Sequence, residues 1–180
     1  MHASLFILAL AAATPVAGSQ SGHGGARVVL HKVDANGTGT TIGTIHFADT
    51  EHGLIVMPHL SGLKPGALGT HIHESPSCAA STDAKGQPVP AGSAGGHLDP
   101  AKTGRHEGPY GNGHLGDLPN LIVEADGVAR IPMLAPRAKL ADLAGRALVI
   151  HEAADRYEVE SGHHHAHSMG GGRMHCGVIE

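Results

Sequence analysis

Seven side chains able to bind metal, His71, His73, His97, His106, His114, Asp117 and His151, are strung along the chain between residues 71 and 151. Only a fold that gathers them gives them a common use, so they constrain the architecture before any other feature does. His71 and His73 stand in H-I-H-E. On an extended strand residues i and i+2 face the same side, so both rings point one way. His151 ends an apolar stretch, L-V-I-H-E, and therefore belongs to a different strand. His97 in G-G-H-L-D-P, His106 in G-R-H-E-G-P, and His114 with Asp117 in G-H-L-G-D-L-P lie in a Gly- and Pro-rich stretch from 92 to 119 that can fold into a pocket. The strand histidines would form a rigid wall and the loop residues would close around it.

The rest of the chain supplies such a wall. Ala26 to Val33 and Thr40 to Phe47 are rich in β-branched residues and flank the hairpin signal Asn36-Gly37. Leu54 to Leu60 is a third strand and Thr70 to Glu74 a fourth. Ser75 to Pro119 has no periodicity, and a loop of that length inside a compact domain is usually functional. Leu121 to Glu124 and Val128 to Leu134 flank a second hairpin at Asp126-Gly127. Leu140 to Leu143 reads as a helical turn, Ala147 to His151 as an apolar strand, Glu152 to Gly172 as a second long loop, and Cys176 to Ile179 as a terminal strand. Short strands, many turns and two long loops predict an all-β, antiparallel sandwich or barrel.

Composition narrows the function classes. The net charge is −4 with histidine neutral, and no basic cluster marks a nucleic-acid surface. Tryptophan is absent and Phe47 is the only phenylalanine beyond residue 18, so the core is aliphatic and base or sugar stacking is disfavoured. Leu5 to Ala13 is an apolar run of signal-peptide length, too short to span a bilayer, followed by small residues Val16, Ala17 and Gly18. The expected division is a signal peptide over 1–18, a flexible lead-in over 19–26 and one domain over 27–180, with no membrane contact after cleavage. In an exported chain, Cys78 and Cys176 are expected to form a disulfide. Closing a loop of that length is worth on the order of 4–5 kcal/mol in the chain-entropy model.

Two coordination sets separate by chemistry. His71, His73 and His151 offer imidazole nitrogens from two strands, the environment Cu(II) prefers. His106, His114 and Asp117 offer two nitrogens and an oxygen, a tetrahedral zinc set one ligand short. His97 can complete both, binding one ion through each ring nitrogen. A carrier that only stores or delivers metal would not need that shared ligand.

With these residues in view, the chain resembles the copper,zinc superoxide dismutases of the exported bacterial branch. The motifs that carry the resemblance are L-K-P-G-A-L-G-T-H-I-H-E, G-G-H-L-D-P, G-H-L-G-D-L-P, L-A-P-R and the ending G-G-R-M-H-C-G-V-I, and it covers residues 27 to 180. It implies a Greek-key barrel, copper on His71, His73, His97 and His151, and zinc on His97, His106, His114 and Asp117. It also implies that Asp155 hydrogen-bonds His71 and His106 together, that Arg173 guides the anion, and that Cys78 pairs with Cys176. Arg173 and His97 would be the catalytic residues, superoxide the substrate, the periplasm the location and a homodimer one possible assembly.

Other residues get plainer readings. His31, His46, His52 and His59 are expected at the surface or in structural positions, and Tyr110 and Tyr157 as loop-packing residues. Met57, Met133 and Met174 are too scattered for a thioether copper site. Glu152, Glu158 and Glu160 make the second loop acidic, with Arg156 its one fixed cation, which predicts weaker steering of an anion. His163, His164, His165 and His167 are either incidental members of a solvated loop or an accessory site for metal capture.

Overall fold

In the computed structural model, which describes residues 25–157 and 170–180, the three β-branched segments at the start form one meander. The leader, the lead-in up to residue 24 and the run from His163 to His167 lie outside the described residues. β1 (Ala26–Asp34) pairs with β2 (Gly37–Thr50), and β2 pairs with β3 (Gly53–Leu60), all antiparallel. The turn between β1 and β2 is held by Asn36 N donating to Asp34 Oδ1 at 2.7 Å. Alternation sorts β2 cleanly: Ile45 and Phe47 are buried while His46 between them is exposed. The β1–β2 register shifts beside His31, bending the pair. Opposite that shift, Gly43 has φ 131°, and a Cβ there would stand 2.1 Å from the His59 carbonyl oxygen. Only glycine lets β2 and β3 approach at this bend.

Four further strands complete a seven-stranded sheet. β5 (Thr70–His73), β10 (Ala147–His151), β11 (Arg173–Val178) and β9 (Met133–Ala135) give the order β5-β10-β11-β1-β2-β3-β9. The neighbours β11–β1 and β3–β9 are far apart in sequence, so the chain crosses between edges in Greek-key fashion. A short ladder of β4 (Gly66–Leu68) with β8 (Leu121–Val123), plus backbone bonds from Leu60 to Ala129 and from Leu63 to Gly127, draws the two edges toward each other. The sheet curls around Leu30, Ile45, Phe47, Leu54, Leu148 and Ile150, each at most 1% exposed. Each such side chain stabilises the fold by roughly 1.5–3 kcal/mol.

Three strand expectations needed correction. β11 begins at Arg173, three residues before the expected Cys176. Arg-Met-His does not read as core, yet His175 occupies an interior position at 8% exposure. Val128 to Leu134 yields only an isolated bridge at Ala129 and the short β9. The long loop is not featureless: it contains the minimal ladder β6 (Ser81–Thr82) with β7 (Pro88–Val89) and a 3-10 turn at Gly92–Ala94. The helical turn near 140 is a 3-10 turn at Leu140–Asp142. Among the described residues, no helix is long and apolar enough to cross a membrane.

Cys78 and Cys176 are bonded, with a sequence separation of 98. Cys176, Val149 and Ala147 cover the outer face of β10 and β11 with Val33, Ala91 and Ala94, and Cys78 packs against this group. The disulfide thus ties the loop over residues 75–95 onto the strand pair. Cys78→Ser is expected to lower stability by roughly 4–5 kcal/mol, the chain-entropy value for a loop of this length. Urea unfolding of the oxidised and variant proteins measures it, and equal midpoints would show that the covering cluster alone holds the loop.

Candidate metal centre

The two loop segments that carry candidate ligands reach β5 through backbone hydrogen bonds. Glu74 N donates to Gly96 O (3.1 Å), Leu98 N to Ile72 O (2.9 Å), Ile72 N to Gly116 O (2.9 Å) and Leu118 N to Thr70 O (3.2 Å). Isolated bridges consequently set His73 against His97 and His71 against Asp117. Gly116 makes the crossing possible, since a Cβ there would stand 2.2 Å from Ile72 O. β10, paired to the other side of β5, delivers His151. All four residues of β5 are buried.

Ligand atoms of His71, His73, His97 and His151 lie within 4.8 Å of one another, and those of His71, His97, His106 and Asp117 form a second such group. His97 and His71 belong to both, and each has one ring nitrogen on a carboxylate. His71 Nε2 donates to Asp155 Oδ2 at 2.6 Å, leaving Nδ1 alone. His97 Nδ1 faces Asp117 Oδ1 at 2.8 Å, and its Nε2 remains for the other group. His114 falls in neither group but stands beside the second one. Its ring centroid is 5.3 Å from that of His97, and its Nδ1 is 3.5 Å from Asp117 Oδ1.

The hydrogen bonds choose which nitrogen each ring presents. His73 Nδ1 donates to Gly95 O at 3.0 Å, His151 Nδ1 to Gly171 O at 2.9 Å and His106 Nε2 to Asp155 Oδ1 at 2.7 Å. The opposite atoms, His73 Nε2, His151 Nε2 and His106 Nδ1, together with His71 Nδ1 and His114 Nδ1, are buried and make no hydrogen bond. His106 Nδ1 does lie 3.0 Å from Asp117 Oδ2, without a hydrogen bond's alignment. An unpaired buried polar atom costs about 1–3 kcal/mol, so five gathered in one part of the fold favour an electrophilic partner there. Imidazole nitrogens suit copper, and a mixed nitrogen and carboxylate set suits zinc. The residues fit both ions.

Electrostatics divides the two halves. Burial pushes His71 and His73 well below the ordinary histidine pKa, and neighbouring His97 adds to it. Burial likewise brings His151 down to about 4. These rings are held neutral, as metal ligation requires. At His106 burial also lowers the pKa, but Asp117 and Asp155 on either side outweigh it and raise it to about 9. The field that favours a proton there favours a metal cation equally. Burial raises Asp117, yet the His106, His114 and His97 rings grouped around its carboxylate prevail and keep it far below the usual carboxylate range.

Asp155 meets both His71 and His106, as the resemblance implied, and its backbone is clamped by Asn120. Asp155 N donates to Asn120 Oδ1 (2.8 Å) and Asn120 Nδ2 to Asp155 O (2.9 Å). Tyr157 packs as expected: its hydroxyl accepts from Asn120 N at 2.6 Å, and its ring lies against Gly108. Tyr110 does not pack, being 74% exposed at the tip of a glycine-rich turn. Asn120 was not singled out from sequence, although its place immediately after the Asp117 motif was an available signal. His46, His52 and His59 are exposed and His31 half-buried, apart from the site as expected.

A cavity of about 1070 Å³ opens above the two groups, lined by His97, His114, His151 and Arg173 with Glu74, Asp99 and Glu152. The guanidinium of Arg173 is fixed by the disulfide loop: Nη1 donates to Ala91 O and Nη2 to Gly95 O, both at 2.7 Å. Gly95 O therefore receives both Arg173 and His73, linking the cation at the cavity wall to one ring of the all-histidine group.

Comparison with known proteins agrees with this geometry. The model of the family described as "Copper/zinc superoxide dismutase (SODC)" matches residues 41–179. A Salmonella typhimurium protein named Cu-Zn superoxide dismutase 1 is 47% identical over 178 residues, covering 97% of each chain. The Cu-Zn superoxide dismutase of Escherichia coli K12 is 43% identical over 180 residues, covering 98% of each. The solved Cu/Zn superoxide dismutase from Brucella abortus superposes with TM-score 0.81 at 39% identity, over 87% of this chain and 100% of that one. The monomeric copper, zinc superoxide dismutase from Salmonella enterica gives TM-score 0.75 at 46% identity over the same shares.

Proposed function

We propose that this chain, which belongs to the copper/zinc superoxide dismutase family, holds copper through His71, His73, His97 and His151 and zinc through His97, His106, His114 and Asp117. Its activity is the dismutation of superoxide to dioxygen and hydrogen peroxide, with copper and zinc as cofactors. The observation that carries the residue assignment is the set of five buried, unpartnered ring nitrogens, of which all but His114 Nδ1 stand opposite a nitrogen that the protein holds by a hydrogen bond. Copper supplies the one-electron exchange that oxidises one superoxide and reduces the next, and zinc supplies fixed positive charge without redox change.

The residues do the remaining work. Arg173 draws the anion into the cavity and gives it hydrogen-bond donors whose direction Ala91 O and Gly95 O have already set. Peroxide formation consumes two protons, and His97 Nε2, the ring nitrogen not turned to Asp117, is the atom where we place one during transfer. Asp155 keeps the rings of His71 and His106 in the orientation that presents Nδ1. The apolar run at Leu5–Ala13 and a disulfide suited to an oxidising compartment support a protective role in the cell envelope, in the periplasm.

Loading the protein with one copper and one zinc per chain and following superoxide decay by pulse radiolysis tests the assignment alongside His151→Ala. The wild type should consume superoxide near the diffusional range, and the variant should lose copper while retaining zinc. Full copper retention by His151→Ala would remove His151 from the site.

A further inference from the structure

We propose that Arg137, outside the ligand set, positions the zinc half of the site by holding the main chain of the loop between His106 and His114. The inference rests on the zinc assignment above and deepens it. Arg137 follows β9 in the L-A-P-R segment, remote in sequence from every zinc ligand. Its half-buried guanidinium donates from Nε to Pro109 O (3.2 Å), from Nη1 to Gly113 O (3.1 Å) and from Nη2 to Gly108 O (3.3 Å) and His114 O (2.5 Å). One rigid fork therefore takes four carbonyl groups from both arms of a single loop, a geometry that a lysine nitrogen cannot reproduce.

The loop needs such an anchor. Its sequence from 107 to 113 is Glu-Gly-Pro-Tyr-Gly-Asn-Gly, and backbone freedom at its three glycines is costly to suppress. Apolar side chains fasten it weakly: its largest, Tyr110, is 74% exposed, and Pro109 is the one apolar residue of the loop that is buried. Its other ties include Asn112 N to Glu107 Oε2 (2.8 Å), Arg105 Nη2 to Asn112 O (3.4 Å), His114 N to Arg105 O (2.8 Å), the Tyr157 ring against Gly108, and an Arg105–Glu107 ion pair whose arginine is half exposed and therefore weak.

From Arg137 two ligands are one backbone step away. The His114 carbonyl is held directly, which fixes the Cα from which that imidazole projects. Gly108, whose carbonyl Arg137 takes, donates its own N–H to Asp117 Oδ2 at 3.2 Å. Arg137 thus orients His114 through its own main chain and the Asp117 carboxylate through Gly108. Of the copper-side residues, His97 reaches it through Asp117 Oδ1, whereas His71, His73 and His151 are held by Asp155, Gly95 O and Gly171 O instead. Second-layer groups of this kind typically change metal affinity by about 10–100-fold.

The test is the zinc dissociation constant of the full oxidised protein, measured by chelator competition with Zn²⁺, together with the visible spectrum after Co²⁺ is placed in the zinc site. Arg137→Ala should raise the constant about 10–100-fold and alter the Co²⁺ bands, with copper content unchanged. Arg137→Lys should recover only part of the loss. It also supplies the same readouts if the alanine variant does not fold. A role in stability alone would lower the melting temperature while leaving the constant within twofold and the Co²⁺ spectrum intact, and that result would overturn the proposal. His114→Ala is the control for the premise. If it keeps wild-type zinc affinity, the zinc assignment fails; if it loses zinc while Arg137→Ala does not, only the role of Arg137 fails.

Discussion

Arg173→Ala is expected to slow superoxide consumption by about 10–100-fold at full metal content, which is roughly 1.4–2.7 kcal/mol of transition-state stabilisation. The guanidinium is preorganised: Ala91 O and Gly95 O hold it, and the Cys78–Cys176 bond holds the loop that carries them. Removing a fixed donor of this sort costs far more than removing a mobile surface charge. Copper should remain, because His73 keeps its own hydrogen bond to Gly95 O. The salt response is a second signature. Among the described residues lining the cavity, Arg173 is the one permanent cation, facing Glu74, Asp99 and Glu152. Without it the rim is purely acidic, so the dependence of rate on ionic strength should shift toward acceleration by salt, which screens repulsion beyond about 8–10 Å. Arg173→Lys should restore part of the salt behaviour and less of the rate, since it keeps the charge and loses the fork. Stopped-flow or pulse-radiolysis rates at several salt concentrations decide the matter. An Arg173→Ala protein that loses copper, or keeps full activity, would make Arg173 a structural residue.

His97→Ala is expected to weaken zinc binding by at least about 100-fold, on the scale of losing more than a second-layer partner. It should leave copper on the three remaining imidazoles. The asymmetry follows from what each half retains. His71, His73 and His151 project from two paired strands, β5 and β10, and each is held by its own hydrogen bond. His106, His114 and Asp117 sit in a loop, and Asp117 would also lose its 2.8 Å contact with His97 Nδ1. Metal content by mass spectrometry after dialysis against a chelator measures the difference. Equal loss of both ions would show that His97 supports the site as a whole rather than completing two separate sets.

The proposed ligands were legible in the sequence as candidates because their signals are local. The i, i+2 pair His71 and His73 needs only strand periodicity, and His97, His106 and His114 stand out in a segment otherwise rich in glycine and proline. Asp155 and Arg173 came through the family resemblance; Asp155 meets His71 and His106, and Arg173 lines the cavity. What stayed hidden depends on distant backbone. Nothing in G-G-H-L-D-P shows that it docks beside Ile72 while Leu118 pairs with Thr70. Asn120 and Arg137 act on main-chain groups, and a side chain that binds carbonyls leaves no complementary residue type to read. β11 was read short because His175, a polar residue, takes a core position. Tyr110 was misplaced because an aromatic in a loop usually packs, whereas this loop is held through its carbonyls.

The central claim is that His97 serves two ions at once. The most direct measurement is the magnetic resonance spectrum of the protein carrying Cu²⁺ in both sites. A shared imidazole predicts strong coupling that suppresses the separate cupric signals, with the signals returning in His97→Ala. Two independent cupric spectra in the wild type would mean that the sites share no ligand, and the arrangement of seven residues around two metals would have to be redrawn.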